Sequence, residues 1–346
     1  MRIIKLTNAI LLVFLLTACN ATYHYAEFIR PSNIYIPSKV FYVGVINRAA
    51  GEQSTATIYV EGVPVNFIPG LPKMAARKTL NALESQVENL ERFRFVDIEW
   101  DNSDRSDKKF APKPFTSEEI DSLCAAYEVD GLLAIEGLEL SIRTNGNVNV
   151  VSVSDDAGRM IQVPEFTQRQ EVSLTPLWRF YDGLSLKMID EYQKTYQGVF
   201  NQSTLNPNEQ NDVNVSEGSL IDISVLAAQD YHDRISPHWE SGQRLYYRGN
   251  SNELLSISAG LEYTGDWETA AKKWMKLTTS EDEKERYFAT YNMAVASEML
   301  GRPKTAKSWL EKAREIEDRK QVSRYMEIIE KQILIYDVVD SQLGVQ

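Results

Sequence analysis

Cysteine is almost missing from this chain: two occur in 346 residues, Cys19 and Cys124. Cys19 has another role, argued below, so no internal disulfide remains. Histidine is nearly as scarce, with His24, His232 and His238 only. Three scattered imidazoles do not make a metal cluster, and Pro237 breaks any helical face that His232 and His238 would share. There is no basic tract, and the formal charge is −12. An acidic chain of this kind is a poor partner for nucleic acid and for anionic headgroups. No apolar run after the first 18 residues approaches the ~20 residues of a membrane-spanning helix. No glycine-rich phosphate cradle follows the first strand, because Gly44 stands alone within it. The sequence therefore assigns no metal, no cofactor and no catalytic residue.

What is present starts with a leader. Arg2 and Lys5 precede an unbroken apolar run from Ala9 to Leu16, followed by Thr17, Ala18 and Cys19. A basic start, a short apolar core and small residues are the anatomy of a secretory signal. Leu16-Thr17-Ala18-Cys19 resembles a lipobox, which implies cleavage before Cys19 and acylation of its thiol. More than one acyl chain makes a stable membrane anchor. The expected protein is an outer-membrane lipoprotein of the cell envelope facing the periplasm. Loss of Arg2 and Lys5 with the signal takes the formal charge to −14. Residues 1–18 read as signal peptide and 19–33 as a tether to a body beginning near Ile34.

Lys39–Arg48 reads as a buried strand, and Thr57–Phe67 as a hairpin. Ala76, Leu80, Leu83, Val87 and Leu90 recur at steps of four and three, the apolar stripe of an amphipathic helix. A short strand, Phe93–Trp100, and a charged, proline-punctuated loop follow. Thr116 with Glu119 three residues later predicts a capping box. That helix runs to about Glu128 and carries Cys124 among apolar neighbours, as a buried thiol without a basic partner. Val129-Asp130-Gly131 turns into a strand from Leu132 to Arg143. Val172, Leu174, Trp178 and Phe180 alternate along a further strand, and Ile189–Gly198 returns from the Asp182-Gly183 turn. Strand, helix, strand, helix, strand argues for layered α/β architecture.

Three motifs, Val43-Gly-Val-Ile-Asn-Arg48, Arg92-Phe-Arg-Phe-Val-Asp97 and Tyr127-Glu-Val-Asp-Gly-Leu-Leu-Ala-Ile-Glu-Gly137, together resemble one layout. It is that of curli-secretion-type lipoproteins, and of the similar amino-terminal domain of the Tol–Pal periplasmic component. The resemblance covers residues 39–200 and implies a mixed sheet with helices in a three-layer arrangement. Pore-forming members insert long hairpins; here Val148–Val163 is the corresponding insert. It lacks clean alternation and reads as a solvated loop or hairpin rather than a membrane strand.

Residues 201–218, rich in Asn, Ser, Gln and Pro, read as a linker. From 219 to 346 the chain reads as all-helical. Ser258, Gly265, Ala270 and Trp274 repeat as Ala294, Gly301, Ala306 and Leu310 at identical offsets, which predicts helical hairpins like tetratricopeptide repeats over 252–316. A last helix carries Val322, Tyr325, Met326, Ile329, Ile333 and Tyr336 on one face and caps them. Between linker and repeats lie Arg234, Trp239, Arg244, Tyr246 and Tyr247, the residue types of a binding hot spot; packing of these residues at a domain junction is the alternative. The combination resembles a group of envelope lipoproteins that join a curli-secretion-like domain to tetratricopeptide repeats.

The sequence thus points to an α/β domain followed by an all-α domain in a lipid-anchored, non-enzymatic adaptor. It holds the membrane through acyl chains and binds an unidentified protein partner. The runner-up is an oligomeric secretion or assembly component related to the curli pore. A hydrolase would need paired carboxylates from turns such as Asp155 and Asp182.

Overall fold

The structure, a computed structural model, describes residues 20–49, 55–60, 62–65, 70–87, 92–100, 112–205 and 217–345. The leader and Cys19 lie outside them, as does most of the expected linker. The chain divides into two units. One is built on Ser32–His238 with residues from Gln342, the other on residues up to Pro31 with Trp239–Ser341.

The first unit holds an eight-stranded mixed sheet. Its strands are β2 (Tyr42–Asn47), β3 (Thr55–Val60), β4 (Val63–Val65), β5 (Arg94–Ile98), β6 (Gly131–Ser154), β7 (Met160–Asp182), β8 (Lys187–Gln193) and β9 (Tyr196–Thr204). β2 lies parallel to both β5 and β6, and β3 parallel to β6. β7 runs antiparallel to β6, β8 and β9. Asp130 sets the register at the parallel edge: its carboxylate accepts from the Phe41 and Tyr42 amides. Gly131 follows because a Cβ there would meet the Tyr181 carbonyl oxygen at 2.8 Å.

Helices cover both faces of this sheet. α1 (Leu71–Val87) buries Ala76, Leu80, Leu83 and Val87, four of the five stripe positions read from the sequence; Leu90 lies outside the described residues. α2 (Ser117–Tyr127) begins with the expected capping box: Thr116 accepts from the Glu119 amide while Glu119 accepts from the Thr116 amide. It packs on the opposite face with Ile46, Ile98, Leu132, Ala134 and Tyr181. α3 (Glu217–Ile235) corrects the expected domain boundary. Its stripe Leu220, Ile223, Ala227 and Tyr231 is buried in the sheet's core rather than among the later helices. Trp178 stacks flat on Tyr231 at 4.4 Å between centroids, anchoring α3 to β7.

The 148–163 insert is a hairpin, and a long one. β6 and β7 stay paired from Gly131↔Asp182 out to Ser154↔Met160. No side chain between 145 and 165 is buried. The outer part is therefore a ribbon with solvent on both faces, closed by Asp155, which accepts from the Ala157 and Arg159 amides.

The second unit contains β1 (Ala21–Arg30), β10 (His238–Tyr247), α4 (Asn252–Thr264), α5 (Trp267–Leu277), α6 (Glu283–Met299), α7 (Pro303–Ile316) and α8 (Lys320–Leu343). β1 overturns the tether reading of 19–33. It pairs with β10, and its alternating exposure gives way to buried Phe28 and Ile29. The Arg248 amide donates to the Asn20 carbonyl at one end and Arg30 pairs with Glu240 at the other, so the two strands run antiparallel. The segment folds because Phe28 has somewhere to go, under the Arg244 guanidinium at 3.9 Å.

The helices form two hairpins, α4–α5 and α6–α7. The matched positions behave alike: Ser258 and Ala294, Ala270 and Ala306, Trp274 and Leu310 are all buried. Gly265 and Gly301 take φ of +67° and +71° after the first helix of each pair, where a side chain would be strained. α8 buries Val322, Tyr325, Met326 and Ile329 against the same core. No helix among the described residues is long and apolar enough to cross a membrane. The molecule is an α+β mixture: a helix-flanked mixed sheet in one unit, helical hairpins with a two-stranded ribbon in the other.

Candidate functional site

Of the five residues singled out for partner binding, Arg234 belongs to the first unit and the other four to the second, and most of them are engaged within their own unit. Arg234 grips Asp190 through two nitrogens at 2.6–3.1 Å and lies 4.5 Å over the Tyr192 ring. Arg244 is buried and forks onto both Glu298 oxygens at 2.7 Å, with the Tyr325 hydroxyl donating to the same carboxylate at 2.6 Å. Tyr246 is buried with its hydroxyl on Glu262 at 2.9 Å. Tyr247 is buried and stacks on Phe288 at 4.3 Å. Only Trp239 offers a large surface, at 54% exposure. Alternation along β10 puts Arg244 and Tyr246 on the side opposite Trp239 and Gln243, while Tyr247, of the same parity as Trp239, is buried at the end of the strand. Arg244, Tyr246 and Tyr247 are packing residues of the helical unit.

The candidate carboxylates of a hydrolase are equally separated. Asp155 closes the outer end of the β6–β7 hairpin and Asp182 the inner end, where it accepts from the Leu184 and Ser185 amides. β7 alone spans 23 residues between those turns, roughly 70 Å at the rise of a strand. Both are turn formers, and they cannot act on one substrate atom. Cys124 is half-buried; burial, with Asp121, Asp130 and Asp182 nearby, pushes its thiol up to about 11, which leaves it protonated and inert.

The feature that stands out instead is one face of the long hairpin. Side chains at every second position of β6, β7 and β9 share a face. Ser141, Arg143, Glu171, Ser173, Gln197 and Val199 line a trough of about 490 Å³. Further out, Asn145, Asn147, Glu165, Thr167, Arg169, Asn201 and Ser203 line a second of about 490 Å³. Arg143 stacks over Tyr59 at 5.5 Å beside the first. This is a polar face rich in amides and hydroxyls, with charges of both signs.

On the same side of the sheet, toward α2, sits a buried charge cluster. Glu136 is 0% exposed and lies at the irregularity where β6 shifts register between Ile135 and Gly137. Arg48 chelates it at 3.0 and 2.8 Å and stacks over Phe115 at 4.1 Å. The Tyr181 hydroxyl donates to it at 2.6 Å, and Arg179 lies 3.9 Å away while bonding Glu191 and the Pro112 carbonyl. Burial pushes the Glu136 carboxyl above its usual range, against the pull of Arg48, the Tyr181 hydrogen bond and Arg179. Sequence reasoning missed this cluster. The available signal was one acid inside the apolar run Leu132–Leu138. Oε1 of this buried acid takes the hydrogen bonds of Arg48 and Tyr181, while Oε2 lies 2.8 Å from the same Arg48 nitrogen without a hydrogen-bond partner of its own, so the cluster ties β6 to β7 and to the end of β2. No group of residues able to hold a metal ion occurs among the described residues.

Comparison with known proteins gives families without an assigned activity. Residues 258–331 match a second family described as a domain of unknown function, DUF6340. No curated protein matches. Among solved structures, the chain is similar to a neuraminyllactose-binding hemagglutinin homologue from Helicobacter pylori, at 10% identity over 59% of this chain and 95% of that one, with a TM-score of 0.23. It is also similar to the hypothetical protein CT253 from Chlamydia trachomatis, at 12% identity over 55% and 90%, with a TM-score of 0.20. At such scores neither neighbour contributes to the functional reading. The longer match is decisive for classification: residues 40–247, the whole described sheet of the first unit together with α3, fit the family described as the domain of unknown function DUF8603, and the chain belongs to that family.

Proposed function

We propose that this protein is a lipid-anchored module of the cell envelope that binds or assembles with another protein and performs no chemistry of its own. The observation that carries this reading is the long hairpin. Ordering each residue of its outer part costs about 1–2 kcal/mol of backbone entropy, yet no side chain from 145 to 165 is buried in return. A ribbon of this kind gains its apolar contacts by meeting a partner. Among the described residues, its strand edges beyond the β3 and β9 pairings carry no further strand and are open to one from a partner. The two helical hairpins read as tetratricopeptide-like repeats, whose stacked surfaces bind peptides or helices. The lipobox reading supports membrane anchoring, and the location proposed with it is the outer membrane, facing the periplasm.

Proximity labelling and crosslinked pull-down from intact envelopes test this directly. Wild type should recover a defined partner, and a variant lacking the hairpin tip should lose it. A protein that stays solitary at cellular concentration rules the reading out.

One observation favours the second reading, an oligomeric assembly or secretion component. Residues 144–154 and 160–164 contain no charge, and Val148, Val150, Met160 and Ile161 are exposed. Uncharged, β-branched exposed strands pair readily with copies of themselves. That reading requires a stable ring in detergent and conductance in planar bilayers; a monomer on sizing excludes it.

A further inference from the structure

The expected tether is missing, and its replacement changes what the anchor does. Asn20 already belongs to the fold, its carbonyl accepting from the Arg248 and Gly249 amides. β1 begins at Ala21. The residue next to an acylated Cys19 is therefore held by the fold. At a rise of ~3.3 Å per residue, Tyr23 lies only ~10 Å along the chain from Asn20.

The outward face of the β1–β10 ribbon is aromatic. Tyr23 is 61% exposed, Tyr25 70% and Trp239 54%. Alternation puts these three on the side opposite Phe28, His24 and Arg244: His24 packs edge-on against Trp267, and Phe28 lies beneath Arg244. Ser241 and Gln243 share this face and are uncharged, Glu27 is its exposed acid, and Glu240 pairs with Arg30. Ile29, Leu245 and Tyr247 have the same parity but are buried or packed on the helical core, so the exposed part runs over Tyr23, Tyr25, Glu27, Trp239, Ser241 and Gln243. Tyrosine and tryptophan, with an apolar ring and a polar tip, are the residues that settle at the water–hydrocarbon boundary.

We infer that the outward face of the β1–β10 ribbon, through Tyr23, Tyr25 and Trp239, lies in the headgroup layer of the membrane and holds the helical unit against it. The inference rests on the anchor at Cys19 proposed above, which brings this face to a bilayer. The headgroup layer is roughly 5–7 Å deep on each side, enough to receive one row of rings. The contact is interfacial and not electrostatic. With Glu27 as the nearest unpaired charge on the face, zwitterionic lipid suits it better than anionic lipid.

The test couples the mature chain, with Cys124→Ser, through its Cys19 thiol to maleimide-phosphatidylethanolamine in vesicles. This supplies an anchor whether or not the cell acylates Cys19, and mass spectrometry of the natural amino-terminal peptide reports that question separately. The emission of Trp239 is taken as wild type minus Trp239→Phe. In vesicles of brominated phosphatidylcholine it should fall by about two-fold relative to plain phosphatidylcholine. Tyr23→Ser with Tyr25→Ser should abolish most of that fall without changing the circular dichroism. Replacing a third of the lipid with phosphatidylglycerol should weaken it. Equal emission in brominated and plain vesicles overturns the inference, as does quenching unaltered in the double-serine variant. Quenching that appears only with anionic lipid overturns it in favour of charge attraction.

Discussion

Glu136 and Arg244 show how single charges hold each unit together. Glu136 is costly to bury as an anion, which is why its carboxyl is raised. Its removal costs more, because Arg48 and Arg179 are then left facing each other without it. Glu136→Ala should lower stability by about 3 kcal/mol at pH 7, read from urea denaturation. The pH dependence has a definite sign. The folded state holds this proton above the ordinary value of 4.5, so it binds more protons than the unfolded chain in that window. The contribution of Glu136 to stability therefore falls as pH rises from about 4.5 through the raised folded value. Glu136→Gln should remove that part of the pH profile, and an unchanged profile would refute the assignment. In the helical unit, Arg244→Ala strands Glu298 and should cost about 3–5 kcal/mol. Trp239→Ala, on an open face, should change stability in solution by no more than about 0.5 kcal/mol. The sequence presented these two residues as one cluster. What separates them is strand alternation, which becomes readable only once β10 is known to be a strand.

At the scale of elements, the hairpin and β1 make opposite predictions. Replacing residues 149–165 with Asn-Gly joins Val148 to Phe166, which are already cross-strand partners, through a favoured two-residue turn. No buried side chain is lost, so the urea midpoint should move by less than about 1 kcal/mol in stability while partner recovery disappears. β1 behaves as core. Phe28→Ala should cost about 3 kcal/mol, where the same change in a tether would cost nothing; a neutral result in thermal unfolding would restore the tether reading. The capping box at Thr116, the stripe of α1 and the paired glycines of the helical hairpins were legible because their signals are local: a side chain meeting its own helix terminus, a period of 3.6, a φ only glycine tolerates without strain. The extension of β6 and β7 was not legible. Val148–Val163 mixes Asn, Ser and Val without clean alternation, because both faces see water and neither face imposes a pattern.

For the whole molecule, Cys19→Ala should shift the protein from the membrane to the soluble envelope fraction, with an unchanged urea midpoint for the purified protein. Immunoblots of the two fractions decide it; a variant that stays in the membrane refutes lipid anchoring. The acidic balance of the chain works with such an anchor and against electrostatic adhesion, so attachment should survive high salt. The division of the chain is where the sequence misled most. The Asn/Ser-rich stretch after β9 marks a long connection, but α3 beyond it completes the sheet's core, and β1, far away in sequence, belongs with the helices. A composition shift marks a loop; which core the next element joins depends on long-range burial.

The sequence by itself determined the α/β order, the helical hairpins and the acidic, cysteine-poor character, and it is the sole source of the expected leader. Each of those is written in residues close together along the chain. Only the tertiary structure decided which residues face out, that the segment after Cys19 is a strand, and that Glu136 is clamped between arginines. Those depend on pairings between residues 200 or more positions apart, such as Arg30 with Glu240, or on contacts across a sheet, and no local pattern carries them.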